Sequence, residues 1–178
     1  MELETLSQWR RAAFCVAMAE RNRNHVILFT DMLEQDSKPY TKLLSKTWAF
    51  LEGELKSLDN LERFFNEFDQ WQSALLDNKD SFGAEAAQQA CQSLYSASYA
   101  LLDETANDCE LVQLSNQQLF SAMEEMGNDI EELSSRHNEF EGEILALLTS
   151  GKPKRESILA VKALASSDKE SSLGIALD

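Results

Sequence analysis

The stretch AAQQACQSLYSASYALL, residues 86–102, contains no charged side chain, in a chain where 26% of residues are Asp, Glu, Lys or Arg. Ala87, Ala90, Cys91, Leu94, Tyr95, Ser98, Leu101 and Leu102 recur in it at helical spacing and cover more than one face. A helix without a charged face is normally enclosed by others. The segment therefore predicts the central element of an all-α fold, a helix over about 82–104 with Asp80 or Ser81 as N-cap. Its small Ala and Ser residues let neighbouring helices approach closely. Gln88, Gln89, Gln92 and Ser93 must then find partners or reach the rim, because an unpaired buried amide costs about 1–3 kcal/mol.

On either side of this stretch the helical period continues, and no segment alternates cleanly as a strand does. Upstream, a helix is expected over about 6–21, with Thr5 or Ser7 as N-cap and Leu6, Trp9, Ala13, Val16 and Ala17 inward. A short one follows Asn24 with Ile27, Leu28 and Met32 inward. Pro39 suits the first turn of the next, whose stripe runs from Tyr40 through Leu44 and Trp48 to Leu55 and Leu58. Asp59 or Asn60 then caps a helix that buries Leu61, Phe64, Phe65, Phe68, Trp71 and Leu75, an aromatic stripe that faces the core.

Downstream, a helix from about Asp108 carries Leu111, Val112, Leu114, Leu119, Phe120, Met123 and Met126, and a bend or loop is expected near 127–136. Another over about 136–148 buries Phe140, Ile144 and Leu148 and stops at Gly151. Pro153 opens a last one with Ile158, Leu159, Val161, Leu164 and Ala165 inward. The tail, 171–178, is expected to be extended or frayed. The prediction is one domain over 1–178, a helical bundle of about seven to eight helices around the low-charge one.

At 178 residues, with 43% apolar residues, two Pro and six Gly, the chain suits a single packed core rather than a disordered or turn-dense architecture. Its longest apolar run, residues 12–19, falls far short of the ~20 residues of a membrane helix. Arg10-Arg11 before that run and Ala17-Met18-Ala19 at its end imitate an export signal, but Glu2 and Glu4 and the helical stripe argue against one. Cys15, Cys91 and Cys109 form no CxxC pair, which fits reduced thiols and a cytoplasmic protein.

The net charge of −15 is unevenly placed. Residues 61–151 hold 18 acidic and 3 basic side chains, and no Lys or Arg lies between Lys79 and Arg136. A nucleic-acid binder needs clustered cations against phosphate, so the field here has the wrong sign. A solvated acidic face keeps a protein soluble and selects basic partners.

Catalytic and metal-binding patterns are missing. A di-metal carboxylate bundle needs Glu-x-x-His, yet Asn22 precedes His25 by three and Ser134 precedes His137 by three. The carboxylates of 124–143 sit beside the apolar stripe. No phosphate-cradling glycine loop, zinc-protease, nucleophile-elbow or EF-hand spacing occurs. Cys15 and Cys91 lie on apolar faces, where a thiol behaves as a small hydrophobe. His25, beside Asn24 at a helix start, reads as a surface or capping residue. Lys152, Lys154 and Arg155 make a basic spot too short for a nucleic-acid patch. No catalytic, metal-ligating or cofactor-binding set is expected.

Leu6-x-x-Trp9, Phe14, Glu20-Arg21 and Asn24, with Trp48, Ala90-Cys91, Leu94, Phe140, Leu147-Leu148 and Gly174-Ile175, form a pattern over about 6–175. That pattern resembles the YjaG-like family of uncharacterised bacterial proteins, colinear except around 127–137. The resemblance implies an all-helical, cytosolic protein and transfers no reaction or residue role. Glu20 and Arg21 match a polar pair in it. With His25 they are the candidate binding residues, set against a structural reading in which Arg21 closes a helix end and Glu20 pairs with a neighbouring helix.

The function expected from these features is a non-catalytic helical interaction or regulatory module with an acidic surface, binding a protein partner or itself, with no membrane or nucleic-acid target. Two alternatives stand beside it. One is an enzyme or small-ligand binder using Glu20, Arg21, His25 and a tyrosine in an inter-helix pocket. The other is an acidic mimic of nucleic acid.

Overall fold

In the computed structural model, which describes residues 2–177, the charge-free stretch is α6, Phe82–Leu102. Ser81 caps it, its hydroxyl accepting the Ala84 N–H at 3.1 Å. Ala87, Ala90, Cys91, Leu94 and Ala97 are fully enclosed. The most extensive neighbour is α2, Gln8–Arg21, whose segment from Ala12 to Glu20 is entirely buried. Alanine on both helices removes the bulk that would hold the two backbones apart. Around this pair stand α3 (Arg23–Met32), α4 (Lys38–Glu52), α5 (Leu58–Leu76) and α7 (Cys109–Glu125), all packed on α6. Helices α8 (Glu131–Leu148) and α9 (Lys154–Ser167) close the bundle from the α2 side. A four-residue turn, α1 (Glu2–Thr5), precedes α2, so the described residues form nine helices and no strand.

The expected central helix and its cap are therefore present, and several flanking details differ. Helix α3 buries Asn24, His25, Val26, Phe29 and Thr30, while Leu28 and Met32 are exposed and Ile27 is only half-buried. Helix α4 stops early because Gly53, at φ +84°, takes the left-handed cap that glycine adopts without a Cβ clash. Leu55 then lies off the helix, half-buried, and Leu58 starts α5 exposed. The cap of α5 is Ser57 rather than Asp59 or Asn60, its hydroxyl accepting the Asn60 N–H. The break expected near 127–136 occupies only 126–130, since α8 begins at Glu131. Leu111, Leu114, Met126 and Leu159, expected inward, are exposed.

The tail is neither extended nor frayed over its described part, Asp178 lying outside the described residues. Residues 170–176 close a turn, with Ser171 N–H bonded to the Ile175 carbonyl and a single bridge between Glu170 and Ala176. Leu173 packs with Ala86, Leu119 and Phe120 in a small second core, which places this turn against α6 and α7.

Candidate functional site

Residues 20–25 (Glu-Arg-Asn-Arg-Asn-His) span the junction where α2 ends and α3 starts, with Asn22 as the cap of both. Glu20 is buried and faces α4: its Oε1 accepts the Trp48 indole N–H at 3.0 Å, and its Oε2 pairs with Arg23 at 2.6 Å. Arg21 turns the other way. Its guanidinium lies 4.5 Å from the centre of the Phe140 ring and 3.9 Å from Asp168, and burial lowers its pKa. His25 is only 2% exposed, which corrects its reading as a surface or capping residue. Its Nε2 lies 2.7 Å from the Ser171 hydroxyl. That hydroxyl already accepts the N–H groups of Leu173 and Ile175, so its own proton points to the ring. Desolvation holds the His25 pKa down at about 4, and the ring is neutral near pH 7.

The three candidate residues thus face three different neighbours and do not converge. The tyrosine nearest in role, Tyr40, gives its proton to the Ala19 carbonyl at 2.7 Å. What the segment does assemble is a polar clasp on the tail. Asn22 donates to Gln89 and Asn116 at 3.1 Å each and accepts the Ser172 N–H at 2.9 Å. Asn24 donates to the carbonyls of Lys169 and Ile175. Gln89, left without an obvious partner in the sequence, is satisfied here and passes its own N–H to Ser93 at 2.9 Å.

Two further buried clusters lie apart from this clasp. His137 and Glu141, one turn apart on α8, approach to 2.7 Å, and Gln113 donates to the other Glu141 oxygen at 2.8 Å. Glu141 therefore sits within the apolar stripe and not beside it, in correction of the sequence expectation: Gln113 donates to it and His137 lies against it, although neither His137 ring nitrogen makes a hydrogen bond among the described residues. Cys15 and Cys109 bring their sulfurs to 3.8 Å in the core between α2 and α7. Their mutual hydrogen bond, then burial, raises the Cys15 pKa, and burial raises that of Cys91. No group of three metal-ligating side chains occurs among the described residues.

Open concave surfaces lie elsewhere: one of about 560 Å³ is lined by Trp9, Phe50, Leu58 and Lys154, and the most extensive run is along α6. Gln88 and Gln92 form a ridge with a groove on each side. Toward α7 the groove holds about 460 Å³ and is lined by Glu85, Leu111, Ser115, Gln118 and Leu119. Toward α5 it holds about 590 Å³ and is lined by Asp69, Gln72, Ser73, Asp77 and Tyr95. A third, at the C-terminal end of α6, joins Glu62, Asn66 and Phe65 to Tyr99, Asp103 and Glu104. Helices α5 and α7 flank α6 here without closing over it. Tyr95 and Tyr99 stack at 5.8 Å with rings 20° apart, and Phe65 packs against both, at 4.9 and 6.0 Å. Burial first, then the nearby Asp69, raises the Tyr95 pKa. The signal for this surface in the sequence is a polar line on α6, Glu85–Gln88–Gln92–Tyr95–Tyr99, whose spacing of three and four marks a single face.

Residues 1–176 match the family described as "Protein of unknown function (DUF416)". Among solved structures, the fold is similar to the crystal structure of a DUF416 family protein from Shewanella baltica OS155. The two share 15% sequence identity, the match covers 99% of this chain and 97% of that one, and the TM-score is 0.80. No curated protein matches the chain. No helix among the described residues is long and apolar enough to cross a membrane.

Proposed function

The chain belongs to the DUF416 family, and on that premise we propose that it is a non-catalytic helical module that binds another protein. Within the family, the pattern running from Leu6 and Trp9 to Gly174-Ile175 supports a YjaG-like member. The observation that carries the reading is a division of labour among polar groups. Glu20, Asn22, Asn24, His25 and Gln89 are committed to internal contacts, whereas the most extensive open concave surface is a helix face between two others. Catalysis needs a positioned acid, base or nucleophile aimed into a cavity, and the buried histidines and thiols are turned inward instead. The acidic surface argues for a basic protein partner and against nucleic acid or an anionic membrane. The three unpaired buried thiols suit the cytoplasm.

Affinity capture with the full chain from lysate at low and high salt, with light scattering for self-association, tests the proposal. A partner retained at low salt and weakened at high salt is the expected result. Neither a partner nor self-association at either salt would end it.

A further inference from the structure

The face of α6 left open between α5 and α7 has a chemistry that selects its occupant. Six carboxylates line its three grooves: Glu62, Asp69, Asp77, Glu85, Asp103 and Glu104. No Lys or Arg lines any of them, and none of the six forms an ion pair among the described residues. Cations come near two of the six: Lys79 reaches the Asp77 carbonyl at 3.3 Å, and Arg11 the Glu104 carbonyl at 2.6 Å, where Lys154 also lines an adjoining groove. The floor adds two stacked tyrosine rings, half-buried and packed against Phe65; the face of an aromatic ring attracts cations. The α7 wall is mixed, with exposed Leu111 lining it among Ser115 and Gln118, and Leu114, one turn on along α7, is exposed as well.

We infer that this face seats a cationic amphipathic helix presented by a second protein, its apolar stripe against Leu111 and Leu114 and its basic flank over Tyr95, Tyr99 and the α5 carboxylates. The inference rests on the reading of the chain as a protein-binding module and names the surface and partner class. The open strip from Glu85 to Leu102 runs about 25 Å at 1.5 Å per residue, which fits an occupant of roughly 17 residues. Exposed leucines on one side and carboxylates on the other are what an amphipathic helix matches, with anchors at i, i+3, i+4 and i+7. Charge complementarity sets the sign: an acidic helix, a nucleic acid or an anionic headgroup is repelled by the same six groups.

The test is fluorescence anisotropy of a labelled peptide of roughly 17 residues, built from Leu, Ala, Lys and Arg in amphipathic order, against the full chain. A shuffled peptide of identical composition is the comparison. Two variants divide the surface: Asp69→Lys with Gln92→Lys in the grooves, and Glu139→Lys with Glu143→Lys, exposed on α8. Circular dichroism establishes that both fold. The ordered peptide is expected to bind at least about tenfold more tightly than the shuffled one. The groove variant should lose about tenfold and the α8 variant less than about twofold. In the unmodified protein, the Tyr95 and Tyr99 ring resonances should shift on titration.

Equal affinity for the two peptides, equal loss in both variants, or unshifted tyrosine resonances would overturn the inference, leaving only diffuse charge attraction. A lysate partner whose binding survives Asp69→Lys with Gln92→Lys would overturn this face alone and leave the module reading standing. The absence of any partner would remove both.

Discussion

Asn22 Oδ1 accepts the backbone N–H of Ser172 at 2.9 Å, a bond that spans 150 residues of chain. The same side chain gives its two protons to Gln89 and Asn116, so one amide joins α2, α6, α7 and the tail. Buried polar networks of this kind fix one arrangement of the elements, and a missing member leaves its partners unpaired in a low dielectric.

Asn22→Ala orphans a buried amide N–H and two amide oxygens at once. At about 1–3 kcal/mol for each unsatisfied group, we expect a loss of about 3 kcal/mol or more in urea unfolding. The Ser172 amide should also lose its protection from hydrogen exchange. A loss below about 1 kcal/mol would show that the network carries little of the stability.

His25 makes stability depend on pH with a known sign. Its folded pKa of about 4 lies below the ordinary 6.5, so the unfolded chain takes up the proton first. Stability is complete above about pH 6.5 and declines as pH falls toward about 4, below which both states are protonated. Between about pH 7.5 and about pH 4.5 the wild type should lose about 2–3 kcal/mol more than His25→Gln. Parallel curves for the two proteins would contradict this.

Glu20 and Trp48 meet in the core, and the carboxylate holds both the indole and Arg23. Glu20→Gln keeps an oxygen for the indole N–H, whereas Trp48→Phe removes the donor and leaves a buried carboxylate short of a partner. Hydrogen bonds to charged groups are worth about 1.5–3 kcal/mol. We therefore expect Trp48→Phe to cost more than Glu20→Gln, and the double-mutant cycle to show coupling of about 1 kcal/mol or more.

The thiols offer a direct check on the core. Cys15, Cys91 and Cys109 are each at most 1% exposed, and burial raises the pKa of Cys15 and Cys91. Native protein should react with a thiol reagent only as fast as it opens, while denatured protein reacts at all three positions. Fast native labelling of Cys91 would mean that α6 is not enclosed.

Uncompensated charge should respond to salt. The net charge of −15 repels itself in the compact state. Raising NaCl from about 10 mM to about 0.5 M shortens the screening length severalfold and should raise the Tm by several degrees in calorimetry. A flat or falling Tm would show that the acidic groups are already balanced.

The central helix was legible because the absence of charge over 86–102 is a strong and local signal, and Ser81 stood at its start. The register of α3 was not legible for the opposite reason. Asn24 and His25 are polar, and a hydropathy pattern assigns them outward. They lie inward because Lys169, Ser171 and Ile175, far away in sequence, satisfy them. Glu141 misleads in the same way, its partners being His137 and Gln113. Glu20 and Arg21 were legible as unusual, but not the directions in which they point. The open face of α6 was present only as Gln88, Gln92, Tyr95 and Tyr99, residues that an enclosed helix and a docking helix carry alike. Leu111 and Leu114 read as core because periodicity cannot tell a covered stripe from an uncovered one.

The clasp between residues 22–25 and the tail also orders events on the ribosome. The acceptors of the Asn24 amide, at Lys169 and Ile175, are translated 145 and 151 residues after it, roughly 10–30 s later at the usual pace of synthesis. Until then the junction of α2 and α3 has no dry place for its amides. The nascent chain must keep that junction wet, and the N-terminal helices cannot lock in sequence as they emerge.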